Sequence, residues 1–501
     1  MKHRDGVDRL VLAFFLCFFF LFSSGRIASQ DAGQQLQASM LLAVSGRLGD
    51  DGRGAGPADA SWVQAPNGRR YQPHDIGNIV LMLPAAWLGA RLSPAPAGDD
   101  VLNPPALSRA GASLACSALA ALGCYWMFRL LALSWPVRTA FLLAVAFPSA
   151  TIFIAYARSA WDVLGGCCLM CGVLYYSARL LRGEQAERSA VMLAATLALA
   201  CSFRYSLAPF MPPAGCVVIF LARKRLPGRA FVSSALVFAA LILPSLAYNY
   251  VRTGSPLRPA SAAAQYLHGV NALTGNVLHG LFGLFLSPNR GVFLFSPILV
   301  LSLVACVRWR SASREQRELL AVYGAASAGY VLLISKMANW GAFGWGPRYL
   351  LPVLPVMFFA AACGLMWLWQ RARPLAVAVV IVSALLTVPP ALVNWHLATT
   401  SFPYADRPEA PGPYQQRGAW AALFLGLRGH TLPIPANAAG DSLRSTTGDF
   451  PDLFLWRVGT SSTAGLMAAT VATAAALIGA GFCAARVLRT ETTEEDRGTG
   501  F

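Results

Sequence analysis

The sequence predicts an all-α polytopic membrane protein, and three observations carry that prediction. Of 501 residues, 56% are hydrophobic and only 13% charged, whereas soluble domains carry about 25% charged residues. Apolar runs such as Leu10–Phe22, Leu375–Val388 and Ala464–Ala485 fit membrane spans of about 17–25 residues. Between the runs, arginines gather in short clusters (Arg129–Arg138, Arg179–Arg188, Arg223–Arg229, Arg308–Arg317, Arg486–Arg497), the pattern of cytoplasmic loops.

With those clusters, the basic start Met1–Arg9 and the short Gln370–Pro374 turn placed inside, the chain makes about twelve crossings and both ends are cytoplasmic. The spans fall near residues 10–24, 109–130, 138–157, 162–181, 190–205, 206–222, 230–249, 291–307, 318–335, 349–370, 375–394 and 462–486. The first is read as a retained span rather than a cleaved signal peptide. Its successor, the outer loop 26–108, contains Ile79–Gly89, which is too short to cross and holds Pro84. Counting it as a span would put the basic loops outside, so it is expected to lie along the outer surface. A second outer loop, 396–461, is rich in Pro, Gly and Ala, and its stretch Phe402–Pro413 reads as irregular. Three regions follow: a transmembrane module over 1–395, the loop 396–461, and a last span with a cytoplasmic tail over 462–501.

The net charge of +17 would suit a nucleic-acid partner in a soluble protein. Here the arginines mark inner loops, and no basic, aromatic groove is visible, so nucleic acid is excluded. All 11 cysteines lie in apolar segments, which argues against a disulfide framework. Cys168 and Cys171 form C-x-x-C inside a span, read as packing. The chain has no Asn-x-Ser/Thr site, and arginine far outnumbers lysine; both favour a bacterial inner membrane. No internal repeat is evident, which weighs against an inverted-repeat transporter.

Charges at the membrane edge each need a reason. Asp31 follows the first span, and the pattern Asp31–Gln34 would cap a helix. A carboxylate fixed there could also take a proton from a hydroxyl. Asp162, in Tyr156–Asp162, stands four residues after Arg158. Either the two tie a hairpin together as a local pair, or they stand at the rim of a substrate cavity. Arg290, Lys336 and Arg348 fall on outer loops where cations should be scarce; cations at that depth suit a lipid phosphate. Gly341, Gly344 and Gly346 would let backbone approach a ligand, while Trp340, Phe343 and Trp345 could anchor the loop at the interface or stack on a sugar. His74 and Asp75 adjoin in the first outer loop without further ligand spacing; the other histidines form no ligand motif.

In four stretches the chain resembles the GT-C glycosyltransferases, in particular the bacterial group that includes protein O-mannosyltransferases, the aminoarabinose transferase of lipid A and rhizobial galacturonosyltransferases. They are Gly25–Asp31, Tyr156–Asp162, Ser287–Gly291 with Phe295–Pro297, and Trp345–Tyr349 running into Leu350–Pro355. The resemblance covers roughly residues 8–395 and implies a GT-C type fold with surface-lying helices in the first outer loop. It implies Asp31 as the catalytic base, Asp162 as the second acid, and Arg348 and Lys336 at the lipid phosphate. Arg158, Arg290, Trp345, Tyr349, His74 and Asp75 complete the expected donor-binding set. Protein O-mannosyltransferases tend to have Asp-Glu at the first site, where this chain has Asp31-Ala32; lipid, glycan and lipid A acceptors stay open. The expected partners are a polyprenyl-phosphate sugar, an acceptor hydroxyl on a lipid, glycan or protein, and the bilayer. No cofactor is required, and a divalent metal is compatible with the site. The rival is a multi-span transporter or flippase driven through Asp162, which would place acids near the bilayer middle.

Overall fold

The computed structural model describes residues 2–27, 29–51, 62–93, 104–259, 273–341, 345–393, 413–428, 451–455 and 462–489, together with residues 430 and 458. Phe343, Gly344, His268, His396 and all but the last residue of the stretch expected to be irregular at Phe402–Pro413 lie outside the described residues.

The described residues are mainly helical. In order come α1 (Lys2–Phe22), α2 (Gln30–Ser45), α3 (Ile76–Leu92), α4 (Ala106–Leu131), α5 (Val137–Ser149), α6 (Phe153–Ala157), α7 (Leu164–Arg182), α8 (Ala186–Phe203), α9 (Met211–Leu221) and α10 (Gly228–Thr253). They are followed by α11 (Val277–Leu286), α12 (Val292–Phe295), α13 (Leu301–Val307), α14 (Arg314–Ser335), α15 (Leu354–Arg371), α16 (Arg373–Leu392), α17 (Tyr414–Leu427) and α18 (Thr463–Arg489). One two-stranded antiparallel ribbon, Val63–Gln64 with Arg70–Tyr71, lies between α2 and α3.

Among the described residues, 8 helices are long and apolar enough to cross a membrane. The expected crossings at 138–157, 206–222 and 291–307 are helical but broken into shorter pieces. A proline sits at each break: Pro148 near the end of α5, Pro209 before α9, and Pro297 between α12 and α13. Proline removes a backbone N–H and disfavours helix in the residue before it, so hydropathy alone overstated the unbroken length.

At the centre stands α7, with 89% of its apolar window buried; α10 and α18 are 17% buried and form the periphery. Small residues let neighbours approach α7 closely. A Cβ on Gly123 of α4 would lie 3.0 Å from the Cys168 backbone, and one on Gly172 would lie 3.1 Å from Thr196 and Trp126. Cys168 and Cys171 are buried and unbonded.

The outer ends of α1 and α6 are stitched together. Ile27 and Ala160 form a parallel bridge, and the Ser24 N–H donates to the Arg158 carbonyl at 2.7 Å. The hydroxyls of Ser117 and Ser113 donate to the Ala157 and Arg158 carbonyls at 3.0 and 3.3 Å. This pairing brings the segment ahead of Asp31 beside the segment ahead of Asp162.

Arg158 corrects an expectation. It does not pair with Asp162 and is not among the residues lining the cavity that holds Asp162. Its buried guanidinium donates to the Val393 and Pro390 carbonyls at 2.6 and 3.2 Å and to Asp452, which Arg26 also approaches at 3.3 Å. The carbonyls at the end of α16 have no acceptable partner within their own helix, so a buried five-donor group is drawn to them. Beside it, the Phe454 N–H donates to Ser23 O and the Asp452 N–H to Leu392 O, at 2.8 and 2.7 Å. The segment that carries Asp452 and Phe454 is thereby clamped over the ends of α1 and α16. Removing one partner of a buried charge pair costs about 3–5 kcal/mol. Arg158→Met should therefore lower unfolding stability in mixed micelles by about that amount; unchanged denaturant unfolding would refute the clamp.

Candidate active site

Helix α2 is capped by Ser29, whose hydroxyl accepts the Ala32 N–H at 3.1 Å. The expected cap at Asp31 is thus displaced by two residues. Asp31 sits in the first turn, where the helix dipole favours a carboxylate, and its side chain turns to a cavity of about 390 Å³. His74, Asp75, Asp162, Arg204, Arg348 and Tyr349 line the same cavity.

Two ion pairs organise it. Asp31 Oδ2 accepts from Arg348 Nη2 at 3.1 Å, and Asp162 Oδ2 accepts from Arg204 Nη1 at 3.0 Å. Tyr349 lies between the cations, its ring 5.3 Å from the Arg348 guanidinium and 5.1 Å from that of Arg204, and the Tyr330 hydroxyl holds its carbonyl at 3.1 Å. The second oxygen of Asp31 lies 3.5 Å from His74 Nε2, which also contacts Gln34 Oε1 at 3.2 Å. Asp162 Oδ1 is buried without a hydrogen-bond partner.

The supporting groups come from distant elements. Arg252, at the end of α10, donates to the Gln72 and His74 carbonyls at 3.0 and 2.6 Å, which fixes the turn that presents His74. Asp75 accepts the Tyr205 N–H at 2.9 Å and so ties that turn to the segment carrying Arg204. On the other side, Gly346 has φ +59°, a conformation that favours glycine. It folds Trp345 inward against Phe295, ring centroids 5.1 Å apart. The Gly346 N–H donates to Gln415 Oε1 at 3.0 Å, and the Gln415 N–H donates to Asn289 Oδ1 at 2.8 Å. Helix α17 thus grips the turn that presents Arg348.

The electrostatics separate the acids. Burial works against the ionised form of Asp31, but the charges of His74, Arg348 and Arg204 outweigh it and hold this carboxyl below the usual carboxylate range. Burial dominates at Asp75 and pushes its carboxyl above that range, despite the Tyr205 hydrogen bond.

One ligand atom each from Asp31, His74 and Asp162 lies within 4.8 Å of the others, a spacing a metal ion could use. Yet both carboxylates already face a guanidinium, so a divalent cation would have to sit against two positive charges. The partnerless Asp162 oxygen and the cations match a substrate with a hydroxyl and an anionic group better than a bare cation.

Of the residues expected from sequence, Asp31, Asp162, His74, Asp75, Arg348 and Tyr349 are brought together at this cavity. The others are placed elsewhere. Arg158 is in the clamp described above. Arg290 is buried and donates to the Gly341 carbonyl, which braces the loop from behind. Trp345 is fully buried, so it neither anchors at the interface nor stacks on a ligand. Lys336 caps the end of α14 with an exposed side chain and does not line the cavity. Arg204 and Gln415 escaped the sequence reading. Arg204 follows an apolar run on an outer edge and obeys the same argument that singled out Arg348, but the uncertain boundary between α8 and α9 hid it.

No family model and no curated protein matches the chain. Solved structures do. ArnT from Cupriavidus metallidurans bound to undecaprenyl phosphate matches over 98% of this chain and 77% of its own, at 16% identity and a TM-score of 0.50. The same protein in the apo state matches over 97% and 75%, at 15% identity and a TM-score of 0.49. The oligosaccharyltransferase of Archaeoglobus fulgidus in the apo form matches over 88% and 60%, at 14% identity and a TM-score of 0.46. The first likeness shows that this chain shares the fold of that transmembrane protein.

A buried N–H stripped of its acceptor costs about 1–3 kcal/mol. Gln415→Leu should therefore speed hydrogen–deuterium exchange across residues 345–349 by about that much local protection, while α7 exchanges as before. Unchanged exchange at 345–349 would mean that α17 does not hold the Arg348 turn.

Proposed function

We propose that the protein is an inverting glycosyltransferase of a bacterial inner membrane, with its site on the outer face, moving a sugar from a polyprenyl-phosphate carrier to an acceptor hydroxyl. The observation that carries this reading is the Asp31–Arg348 pair, 3.1 Å apart beside a second acid–arginine pair. It offers both groups that such a transfer needs, a base for the acceptor and cations for the leaving phosphate. Asp31 takes the acceptor proton as general base. The acceptor oxygen attacks the anomeric carbon from the face opposite the phosphate. The bond from that carbon to the phosphate oxygen breaks, and its electron pair leaves with the polyprenyl phosphate. Arg348 and Arg204 stabilise that growing charge in a partly dry cavity. This gives Arg204 the part expected of Lys336.

His74 orients Asp31, and the partnerless oxygen of Asp162 accepts a substrate hydroxyl. Tyr349 keeps the two cations apart. Apolar side chains line one wall of the cavity, among them Leu257, Leu273, Leu333 and Met337, and suit the isoprenoid tail. The step needs no cofactor. A transporter would set its acids along a central path. The convergence of Asp31 and Asp162 with two arginines on one cavity supports an enzyme instead.

The pairing also times the base. With Arg348 bound to it, Asp31 is a weak base, since a general base works best with a pKa near the working pH. A lipid phosphate that draws Arg348 away would leave Asp31 beside a new negative charge and make it more basic. Protonation of Asp31 abolishes activity, so rate falls as pH drops through its pKa. The acidic limb of kcat should therefore lie at higher pH than that of kcat/KM for the sugar donor, because the first reports the complex and the second the free enzyme. The assay is release of free polyprenyl phosphate in liposomes from a panel of carrier-linked sugars. Asp31→Asn, still folded, should release none. Unimpaired release by Asp31→Asn would end this reading, and coincident limbs would end the timing.

A further inference from the structure

Gln35 lines the cavity that holds Asp31 but belongs to neither ion pair. It lies one turn after Asp31 on α2, about 6 Å along the helix axis, and is buried. Ser39, a further turn on, bonds to the Ile79 carbonyl at 2.9 Å. Asp31, Gln35 and Ser39 thus form one stripe of α2 that runs from the cavity to the backbone of α3.

The direction of the Gln35 amide is fixed by its neighbours. Asn78 Nδ2 donates to the Trp161 carbonyl at 3.4 Å and to Gln35 Oε1 at 3.2 Å. A backbone carbonyl only accepts, so Asn78 must turn its NH2 group to Trp161. Gln35 must then answer that NH2 with its oxygen. Its Nε2 hydrogens are left for the cavity, where they meet no acceptor among the described residues. Trp161 directly precedes Asp162, whose Oδ1 is buried without a hydrogen-bond partner. One asparagine therefore registers a spare donor from Gln35 with a spare acceptor from Asp162.

We propose that Gln35 is a specificity-determining residue: Gln35 Nε2 and Asp162 Oδ1 hold one hydroxyl of the transferred sugar, and the protein takes a neutral sugar rather than an amino sugar or a uronic acid. The inference rests on the glycosyl-transfer reading above. A hydroxyl both donates and accepts, so it satisfies the two groups at once. An ammonium has no lone pair for the Gln35 N–H. A carboxylate has no hydrogen for Asp162 and would stand against its charge, because the lipid phosphate occupies Arg348 and Arg204. A site built on hydrogen bonds to one group rejects the analogue that leaves them unmade.

Native mass spectrometry of the full-length protein in detergent, with no acceptor added, reads sugar preference from binding alone. The probes are polyprenyl phosphates carrying glucose, galactose, mannose or arabinose, their mono-amino analogues, and the uronic acids of the hexoses. Wild type should bind a neutral sugar tightest. Exchanging the hydroxyls of that sugar for an amino group, one at a time, should weaken binding about tenfold or more at one position. In Gln35→Met that penalty should disappear, whereas a merely structural role for Gln35 would weaken every probe alike. Gln35→Glu keeps an oxygen for Asn78 and turns a second one to the cavity, so the same amino analogue should overtake the neutral sugar. Should Gln35→Met fail to fold, Gln35→Glu decides. Three results would overturn the proposal and leave the glycosyl-transfer reading standing: wild type binding a charged sugar tightest, no position at which the amine is penalised, or a penalty unaltered in the folded variants. Wild type that binds none of the probes would overturn both.

Discussion

Two carboxylates held against two guanidiniums in one cavity are the constraint on which this end of the molecule depends. An unpaired charge there is expensive, and neither acid finds its partner nearby in sequence. Asp31 reaches Arg348 and Asp162 reaches Arg204, so closing the two pairs draws the starts of α2 and α7, the end of α8 and the entry to α15 to one place. The Ile27–Ala160 bridge and the Arg252 contacts to the His74 turn then hold backbone where the pairs require it.

The same constraint joins structure to chemistry. A pair that is satisfied in the resting protein keeps the cavity stable but leaves Asp31 a poor base and Arg348 engaged. In the proposed transfer, an anionic leaving group would compete for both arginines, and every arginine it took would free a carboxylate. In that transfer, charge pairing of this kind would make the arrival of the lipid phosphate and the activation of the acceptor one event. The second outer loop takes part from a distance: Gln415 sets the turn that aims Arg348, and Asp452 binds the cations at the outer ends of α1 and α6.

Much of this was legible in the sequence, and the failures have identifiable physical causes. Asp31 and Arg348 stood out because charges are scarce at span ends, and that rule holds without knowing any contact. The fold class followed from hydropathy and arginine placement, although prolines broke three of the expected spans into shorter helices. The local Arg158–Asp162 pair, one of two readings that the sequence leaves open, fails because α6 ends at Ala157, and the i,i+4 relation fails where the helix does. The Asp31–Gln34 pattern allows a cap at Asp31 beside its role as a base, but the cap is Ser29, two residues earlier. The sequence leaves Trp345 open between an interfacial anchor and a ring that stacks on a sugar, because it cannot reveal the positive φ of Gly346 that turns the indole inward. Arg204 was concealed by the boundary between α8 and α9, where a short 3-10 turn at Tyr205–Leu207 blurs the hydropathy signal.

The most direct test of the central claim is an experimental structure of the full-length protein with a polyprenyl phosphate bound. The account predicts the phosphate within hydrogen-bond reach of both Arg348 and Arg204, with the Asp31–Arg348 contact lengthened beyond the 3.1 Å seen here and the isoprenoid against Leu333 and Met337. A phosphate bound elsewhere, or one bound while both ion pairs stay closed, would contradict it.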